Sequence, residues 1–445
     1  MILPTMKPFF TAVTGLLFAL TPLVHAQTAP KLVSGPMLGA LEMKEARIWL
    51  QMSESSTVTL SFQTENGPNR SQTRRAEKDH AYTLHFTLDS LTPNTIYNYK
   101  LTIRKSNADK KGQSMGPFRF QTPEDWAFRK DPPVWELALG SCTYINEPEL
   151  DRPGKPYGQD PVIFERIADR QPEVMLWLGD NTYLRPADFG SRSGILHRYT
   201  HSRNVPEMQR LLQTCSHQAI WDDHDYGPND AVGSYPYKTW TSEAFRLFWA
   251  NSVYGAHHPD DQTGYFNRDG IDFILLDNRT WRTSPDLTEG RQMLGKSQID
   301  WLIDNLKYSR SPFKIVACGS QVLNTLAKYE NMAVYEEERA YLLRRIDEEG
   351  IRGVVFVTGD RHHTELSRLA LPKGAVVYDL TCSPLTSSTK GKDYNEENGH
   401  RVEGTLVNEN NFGLLKFGGT FKARTLQIEI VNTQGTTLWI RDLEF

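Results

Sequence analysis

From about Lys31 to Phe120 apolar and polar positions alternate with a period of two, in Arg47-Ile-Trp-Leu, Thr57-Val-Thr-Leu-Ser-Phe, Ala81-Tyr-Thr-Leu-His-Phe, Thr95-Ile-Tyr-Asn-Tyr-Lys-Leu and Phe118-Arg-Phe. Successive side chains of a strand point to opposite faces, so each run predicts a strand with one apolar face, and together they predict a small antiparallel sandwich. A polar, proline-containing stretch from Pro123 to Pro133 closes this region. Beyond it the pattern changes. Short apolar runs at Trp135 to Leu139, Val174 to Leu178, Gln218 to Trp221, Ile271 to Leu276, Phe313 to Ala317 and Val354 to Val357 predict buried strands. They alternate with amphipathic segments at Pro161 to Arg170, Glu207 to Thr214, Ser242 to Trp249, Ser297 to Leu306 and Glu336 to Glu348, which predict helices. Strand patterns return at Val376 to Leu380, Gly413 to Phe417, Leu426 to Val431 and Leu438 to Leu443.

Alternating strands and helices specify a mixed α/β layer structure. At 445 residues the chain exceeds the roughly 250 to 300 at which a single core stops growing, so more than one domain is expected. The expected divisions are a leader at 1–26, an N-terminal β-sandwich domain at 27–123 and an α/β domain at 134–445. Within the first domain, Leu91-Thr-Pro-Asn-Thr-Ile-Tyr97 resembles the tyrosine corner of fibronectin III-like modules, in which a phenol hydroxyl ties a strand to the preceding turn. There is no internal repeat and no low-complexity segment.

The N-terminus reads as a secretory signal peptide: Lys7, an apolar run from Phe9 to Leu20, Pro22, and the small-residue cleavage pattern Val24-His25-Ala26. The run is shorter than the roughly 20 residues that cross a bilayer, so a secreted or periplasmic, monomeric protein without a membrane anchor is expected. The formal net charge of -4 gives no electrostatic basis for a nucleic-acid partner. Cys142, Cys215, Cys318 and Cys382 are widely and irregularly spaced, which is not a disulfide framework; if one is a metal ligand, at most one disulfide can form.

Chemistry concentrates immediately after four of the predicted strands. Leu137-Ala-Leu-Gly-Ser-Cys142, Met175-Leu-Trp-Leu-Gly-Asp180-Asn-Thr-Tyr183, Ile220-Trp-Asp-Asp223-His224-Asp225 and Val355-Phe-Val-Thr-Gly-Asp360-Arg361-His362 each set thiol, carboxylate or imidazole groups past an apolar strand. Sites form at the carboxyl ends of strands in open α/β sheets. One Gly-Asp there is ordinary turn chemistry, but gathering this many carboxylates and histidines requires cations to neutralise them.

These motifs, with Leu294-Gly-Lys-Ser-Gln298 followed by Trp301-Leu302, resemble those of the alkaline phosphatase D (PhoD-like) family of calcineurin-like metallophosphoesterases. The resemblance spans nearly the whole chain. It implies a four-layer α/β/β/α sandwich behind the N-terminal sandwich, and a metal-dependent phosphoesterase acting on phosphate monoesters by attack of a metal-activated water. Asp180 resembles the carboxylate that bridges two metals. Cys142, Tyr183 and His362 would complete a first site, where thiolate and phenolate donors favour Fe3+. Asp223 and Asp360 resemble the ligands of a second site suited to Ca2+ or another divalent cation. Gln321 occupies the neighbourhood where the wider superfamily has a further histidine. His224 would contact substrate and protonate the leaving group, with Asp225 orienting its ring, and Arg361, Asn181, Arg185 and Asn229 are candidate phosphate contacts.

The same metal core could serve a phosphodiesterase or a phospholipase D-like enzyme, with small phosphate esters, diesters or phospholipids as partners. The loops Arg185 to His201, Tyr226 to Trp240 and Ser383 to Arg401 would decide. A secreted binding module stabilised by metal is the alternative from another class, but structural metal sites are closed and have no use for a poised His224.

Overall fold

The computed structural model describes residues 1, 2, 5, 29–106 and 111–445. The expected leader, from Lys7 through Ala26, lies outside the described residues. The N-terminal region forms β1 (Leu32–Leu41), β2 (Ala46–Met52), β3 (Ser56–Gln63), β4 (Arg70–Ala76), β5 (Thr83–Leu88), β6 (Ile96–Arg104) and β7 (Gln113–Gln121). The two leaves of this sandwich enclose a core that includes Ile48, Leu60, Phe62, Phe86 and Leu101. Tyr97 behaves as its motif predicts: its hydroxyl accepts a 2.9 Å hydrogen bond from the Thr92 amide.

The α/β region follows as β8 (Trp135–Gly140), α1 (Ile163–Arg170), β9 (Val174–Leu178), α2 (Arg192–Arg203), α3 (Pro206–Thr214), β10 (Ser216–Ile220), α4 (Asp223–Tyr226) and α5 (Lys238–Phe248). It continues through β11 (Gly264–Arg268), β12 (Ile271–Leu275), α6 (Lys296–Tyr308), β13 (Lys314–Cys318), α7 (Glu336–Glu348), β14 (Val354–Thr358), β15 (Glu365–Ala370) and β16 (Val376–Thr381). Strands β17 (Asn411–Thr420), β18 (Ala423–Asn432) and β19 (Thr437–Asp442) end the chain.

Two sheets face each other. A nine-stranded sheet runs β19-β18-β17-β8-β9-β10-β1-β2-β5, and a six-stranded sheet runs β11-β12-β13-β14-β16-β15. The period-two rule explains why strands such as β9 and β14 are apolar throughout. Leu176 and Leu178 point into the core between the sheets, with Val355 and Val357 opposite. Met175 and Trp177 point outward beneath α1, α3 and α5, while Val354 and Phe356 point outward beneath α6 and α7. The central strands of each sheet are buried on both faces, and the result is the α/β/β/α layering that the family resemblance implies.

One leaf of the N-terminal sandwich is not a sheet of its own. Leu38 of β1 pairs in parallel with Ser216 of β10, so β1, β2 and β5 extend the nine-stranded sheet. The other leaf, β4-β3-β6-β7, stays separate. Helix α2 has no clear apolar stripe because it buries Arg198, Ser202 and Arg203 as well as Ile195 and Tyr199. Arg198 is neutralised by Asp188 at 2.8 Å and Glu147 at 2.7 Å. All four cysteines are buried free thiols.

His217 of β10 supplies a pH-dependent element of stability. The Trp177 indole N–H donates to its Nδ1 at 3.0 Å, and its Nε2 lies 3.1 Å from the Leu211 carbonyl, so the neutral ring satisfies both partners. Burial pushes its pKa down to about 3. A histidine with a depressed folded-state pKa contributes stability that is full above its ordinary value of about 6.5 and is lost as pH falls from there toward 3. Between pH 7 and pH 5, wild type is therefore expected to lose about 2 kcal/mol more than His217→Gln in urea unfolding. Equal losses would show that the ring does not carry this dependence.

Candidate metal centre

The carboxyl ends of β8, β9 and β10 in one sheet and of β14 in the other converge on a single cluster. Just past them the backbone enters the left-handed region at Cys142 (φ 61°), Asp180 (φ 52°), Asp360 (φ 69°) and His362 (φ 56°). Non-glycine residues rarely adopt it, and runs of such outliers occur where surrounding structure holds side chains for function. Gly179, at φ 92°, has no alternative: a Cβ there would lie 2.6 Å from the Cβ of Asp222. Close approach of the β9 and β10 loops thus brings the two carboxylate-bearing turns together.

Four predicted residues meet first. The Tyr183 hydroxyl donates to Asp180 Oδ2 at 3.0 Å and lies 3.4 Å from His362 Nε2, while Cys142 Sγ lies 3.6 Å from the same Asp180 oxygen. Sγ, a carboxylate oxygen and an imidazole nitrogen of Cys142, Asp180 and His362 fall within 4.8 Å of one another. Ser383, just after β16, joins two of them by donating to Cys142 Sγ at 3.1 Å and accepting from the His362 amide at 3.0 Å. Beside this set, donor atoms of Asp180, Asp223 and His224, and of Asp222, Asp223 and Asp360, are grouped within the same 4.8 Å span.

Without cations this cluster is electrostatically unfavourable. Burial, then the charges of Asp223 and Cys142, raise the Asp180 pKa well above the carboxylate range. Burial and then Glu330 do the same to Asp360. Burial pushes the Cys142 thiol up to about 11 and His362 down to about 3. Asp223 goes the other way: burial would raise it, but His224 and Arg279 hold it below its usual range. Asp222 Oδ2 and Asp223 Oδ1 are buried with no hydrogen-bond partner, a condition that costs about 1–3 kcal/mol per group. Orphaned carboxylate oxygens beside a thiol, a phenol and an imidazole are a donor set that fits metal ions.

A cavity of about 270 Å³ opens over the cluster, with Asp180, His224, Asp360 and His362 in its lining and Tyr157, Tyr329 and Lys390 around them. The His224 ring stacks on Tyr183 at 4.1 Å between centroids, and its Nε2 lies 3.9 Å from Asp223 Oδ2. A larger cavity of about 350 Å³ lies among Glu173, Ser216, Arg268 and Asp269, at the amino ends of β9 and β10, away from the cluster.

Asp225, expected to orient the His224 ring, is bonded to backbone amides. Its carboxylate accepts from the amides of Asn181, Thr182 and Asp222 at 3.1–3.2 Å, clamping the β9 loop to the β10 loop. The carboxylate within ion-pair distance of the His224 ring is that of Asp223. Among the candidate phosphate contacts, Arg361 and Asn229 line the cavity. Arg361 is held there by Glu396 at 2.5 and 2.6 Å. Arg185 and Asn181 are turned elsewhere: Arg185 binds Asp151 at 2.9 Å and covers the Tyr144 ring, while the Asn181 amide donates to the Ile220 carbonyl at 2.8 Å. Gln321 is absorbed into a separate buried network with Glu365 and Thr381, each at 2.8 Å.

Several members were not assigned from sequence. Asp222 stood in the Trp221-Asp-Asp-His-Asp motif without a role. Its Oδ1 accepts from Asn278 at 2.8 Å and Arg279 at 2.6 Å. Glu330, which binds Arg279 at 2.7 Å, follows no strand and carried no local signal. Ser383, Tyr157 and Lys390 are likewise brought in only by folding.

Facing sheets flanked by helices, with an acid, thiol and imidazole cluster at their carboxyl ends, define a metallophosphatase-type, calcineurin-like fold. The chain belongs to the PhoD-like phosphatase family, which it matches over residues 156–430. Residues 29–119 match a second family, a domain of unknown function (DUF7800). Alkaline phosphatase D of Bacillus subtilis (strain 168) is 22% identical over 352 residues, covering 67% of this chain and 56% of that protein. The chain therefore spans little more than half of that relative's length. Among solved structures, PhoD superimposes with a TM-score of 0.71 at 16% identity, over 92% of this chain and 91% of its own. A purple acid phosphatase from yellow lupin seeds gives 0.66 at 12% identity, over 92% and 73%. These two likenesses establish the fold.

Proposed function

We propose that the protein is an exported, metal-dependent phosphoesterase that hydrolyses phosphate monoesters. The observation that carries this reading is the convergence of Cys142, Asp180, Tyr183 and His362 with Asp222, Asp223 and Asp360 in one cluster, of which Asp180, Asp360 and His362 line a cavity. Cys142, Asp180, Tyr183 and His362 would hold a first ion, for which thiolate and phenolate donors favour Fe3+. Asp180, Asp223 and Asp360, with Asp222 at hand, would hold a second, for which oxygen donors favour Ca2+ or another hard divalent cation. Such ions supply positive charge that draws in a phosphoryl group and acidifies water.

The chain's own groups do the rest. Asp180 ties the two donor sets through opposite oxygens. Tyr183 stacks on the His224 ring, and the Asp223 charge, 3.9 Å from Nε2, opposes the burial that lowers the His224 pKa, so the ring is placed to hand a proton to the departing alkoxide. Arg361, fixed by Glu396, presents its guanidinium at the cavity wall. Export rests on the leader pattern of residues 1–26, and among the described residues no helix is long and apolar enough to cross a membrane.

The test is release of nitrophenol from a chromogenic monoester by purified protein, before and after chelation, with metals returned singly and a chromogenic diester run alongside. Chelation is expected to abolish turnover and to lower the melting temperature, because buried carboxylates lose their counter-charge. Faster cleavage of the diester would move the assignment to a phosphodiesterase, and chelator-insensitive turnover would sink the metal-dependent reading.

A further inference from the structure

Two side chains with permanent positive charge line the cavity among the described residues, and they differ in kind. Arg361 is buried and its charge is matched by Glu396. Lys390 is exposed and has no carboxylate within ion-pair distance among the described residues. Its ammonium is instead placed by an aromatic ring, 4.8 Å from the centroid of Tyr329, the same ring that the Arg361 guanidinium covers at 4.5 Å. Such a contact steers a cation without neutralising it. Tyr329 is itself 51% exposed.

We propose that Lys390 determines specificity at this site by pairing with a second anionic group carried on the leaving group of a small phosphate monoester, an inference that rests on the phosphoesterase reading. The floor of the cavity, formed by Asp180, Asp360, His224 and His362, is where the transferred phosphoryl group belongs. Lys390 stands at the rim, where the rest of the ester projects. An unpaired ammonium there rewards an anion on that portion. The volume of about 270 Å³ is at the lower end of ligand cavities, which restricts the leaving group to a few heavy atoms beyond the phosphoryl.

The experiment compares 2-phosphoglycolate with ethyl phosphate, which differ by one carboxylate, on the metal-loaded full chain. Wild type is expected to favour 2-phosphoglycolate in kcat/KM by about fivefold, the scale of a partly solvated ion pair, with the gain in KM rather than kcat. Lys390→Met should bring the ratio close to one and Lys390→Arg should keep it. A wild-type ratio near one, or a ratio unmoved by Lys390→Met, overturns the proposal. Calorimetric binding of phosphonoacetate and ethylphosphonate separates this inference from the activity beneath it. If no ester is turned over, yet phosphonoacetate binds wild type about fivefold more tightly than Lys390→Met while ethylphosphonate does not discriminate, the rim site stands and the hydrolase reading fails. If phosphonoacetate does not discriminate either, the rim site falls regardless of turnover.

Discussion

Asp180→Asn is expected to reduce phosphate monoester hydrolysis by about a thousandfold or more while leaving the metal-free fold at least as stable as wild type. The two effects have opposite signs for one reason. Asp180 Oδ2 faces Tyr183 and Cys142, and Oδ1 accepts from the His224 amide at 3.3 Å, so this one carboxylate belongs to both donor sets. An amide in its place keeps the shape and loses the charge that both ions would share. In the chelated protein that charge is a liability, because burial and neighbouring acids hold the folded-state pKa well above the ordinary value. A carboxyl group with a raised folded-state pKa lowers stability as pH climbs above its unfolded value. Chelated wild type should therefore lose stability from pH 5 to pH 8 more steeply than chelated Asp180→Asn. With metals restored the order reverses, wild type gaining melting temperature and the variant gaining little. Retained turnover in Asp180→Asn would remove the shared-ligand assignment.

The second large effect is expected at Arg279, which does not line the cavity. Its buried guanidinium donates to Asp222 at 2.6 Å and to Glu330 at 2.7 Å, and lies 3.9 Å from Asp223. Arg279→Met would leave those acids buried without their counter-ion, at a cost of about 3–5 kcal/mol in unfolding free energy. Arg279→Lys should recover only part of this, because a single ammonium cannot reproduce the fork that reaches Asp222 and Glu330 at once. Urea unfolding of the chelated proteins measures both. A loss below about 1 kcal/mol for Arg279→Met would show that the acids are neutralised by other means.

The layers of the fold were legible because they rest on local rules. Val174 to Leu178 and Val354 to Val357 are continuous apolar runs, which only strands buried on both faces require, and their observed bounds agree to within a residue. Glu336 to Glu348 was legible as a helix for a similar reason. Elements that bury polar groups escaped. Helix α2 hides charges paired to distant acids, and β15 starts with a buried Glu365 that its partners Arg401 and Gln321 satisfy from elsewhere. Strand β4 escaped for another reason: it is a solvated edge strand whose Arg74 and Arg75 are exposed, so it has no apolar alternation.

The candidate site divides along the same line. The sequence by itself determined which turns carry the chemistry, because a carboxylate, thiol or imidazole directly after a buried strand is set by one or two backbone dihedrals. Cys142, Asp180, Tyr183, Asp223, Asp360 and His362 all come from such turns, and the structure brings them together. Tertiary structure alone decided what stands around them: that Asp225 turns to backbone amides and Asp223 to His224, that Arg279 and Glu330 brace Asp222, and that Tyr329 holds Lys390 at the rim. Apart from the neighbouring Asp223 and His224, these contacts join segments tens of residues apart. Their partners are chosen by the packing of the two sheets and the loops between them, and no local pattern along the chain encodes that choice.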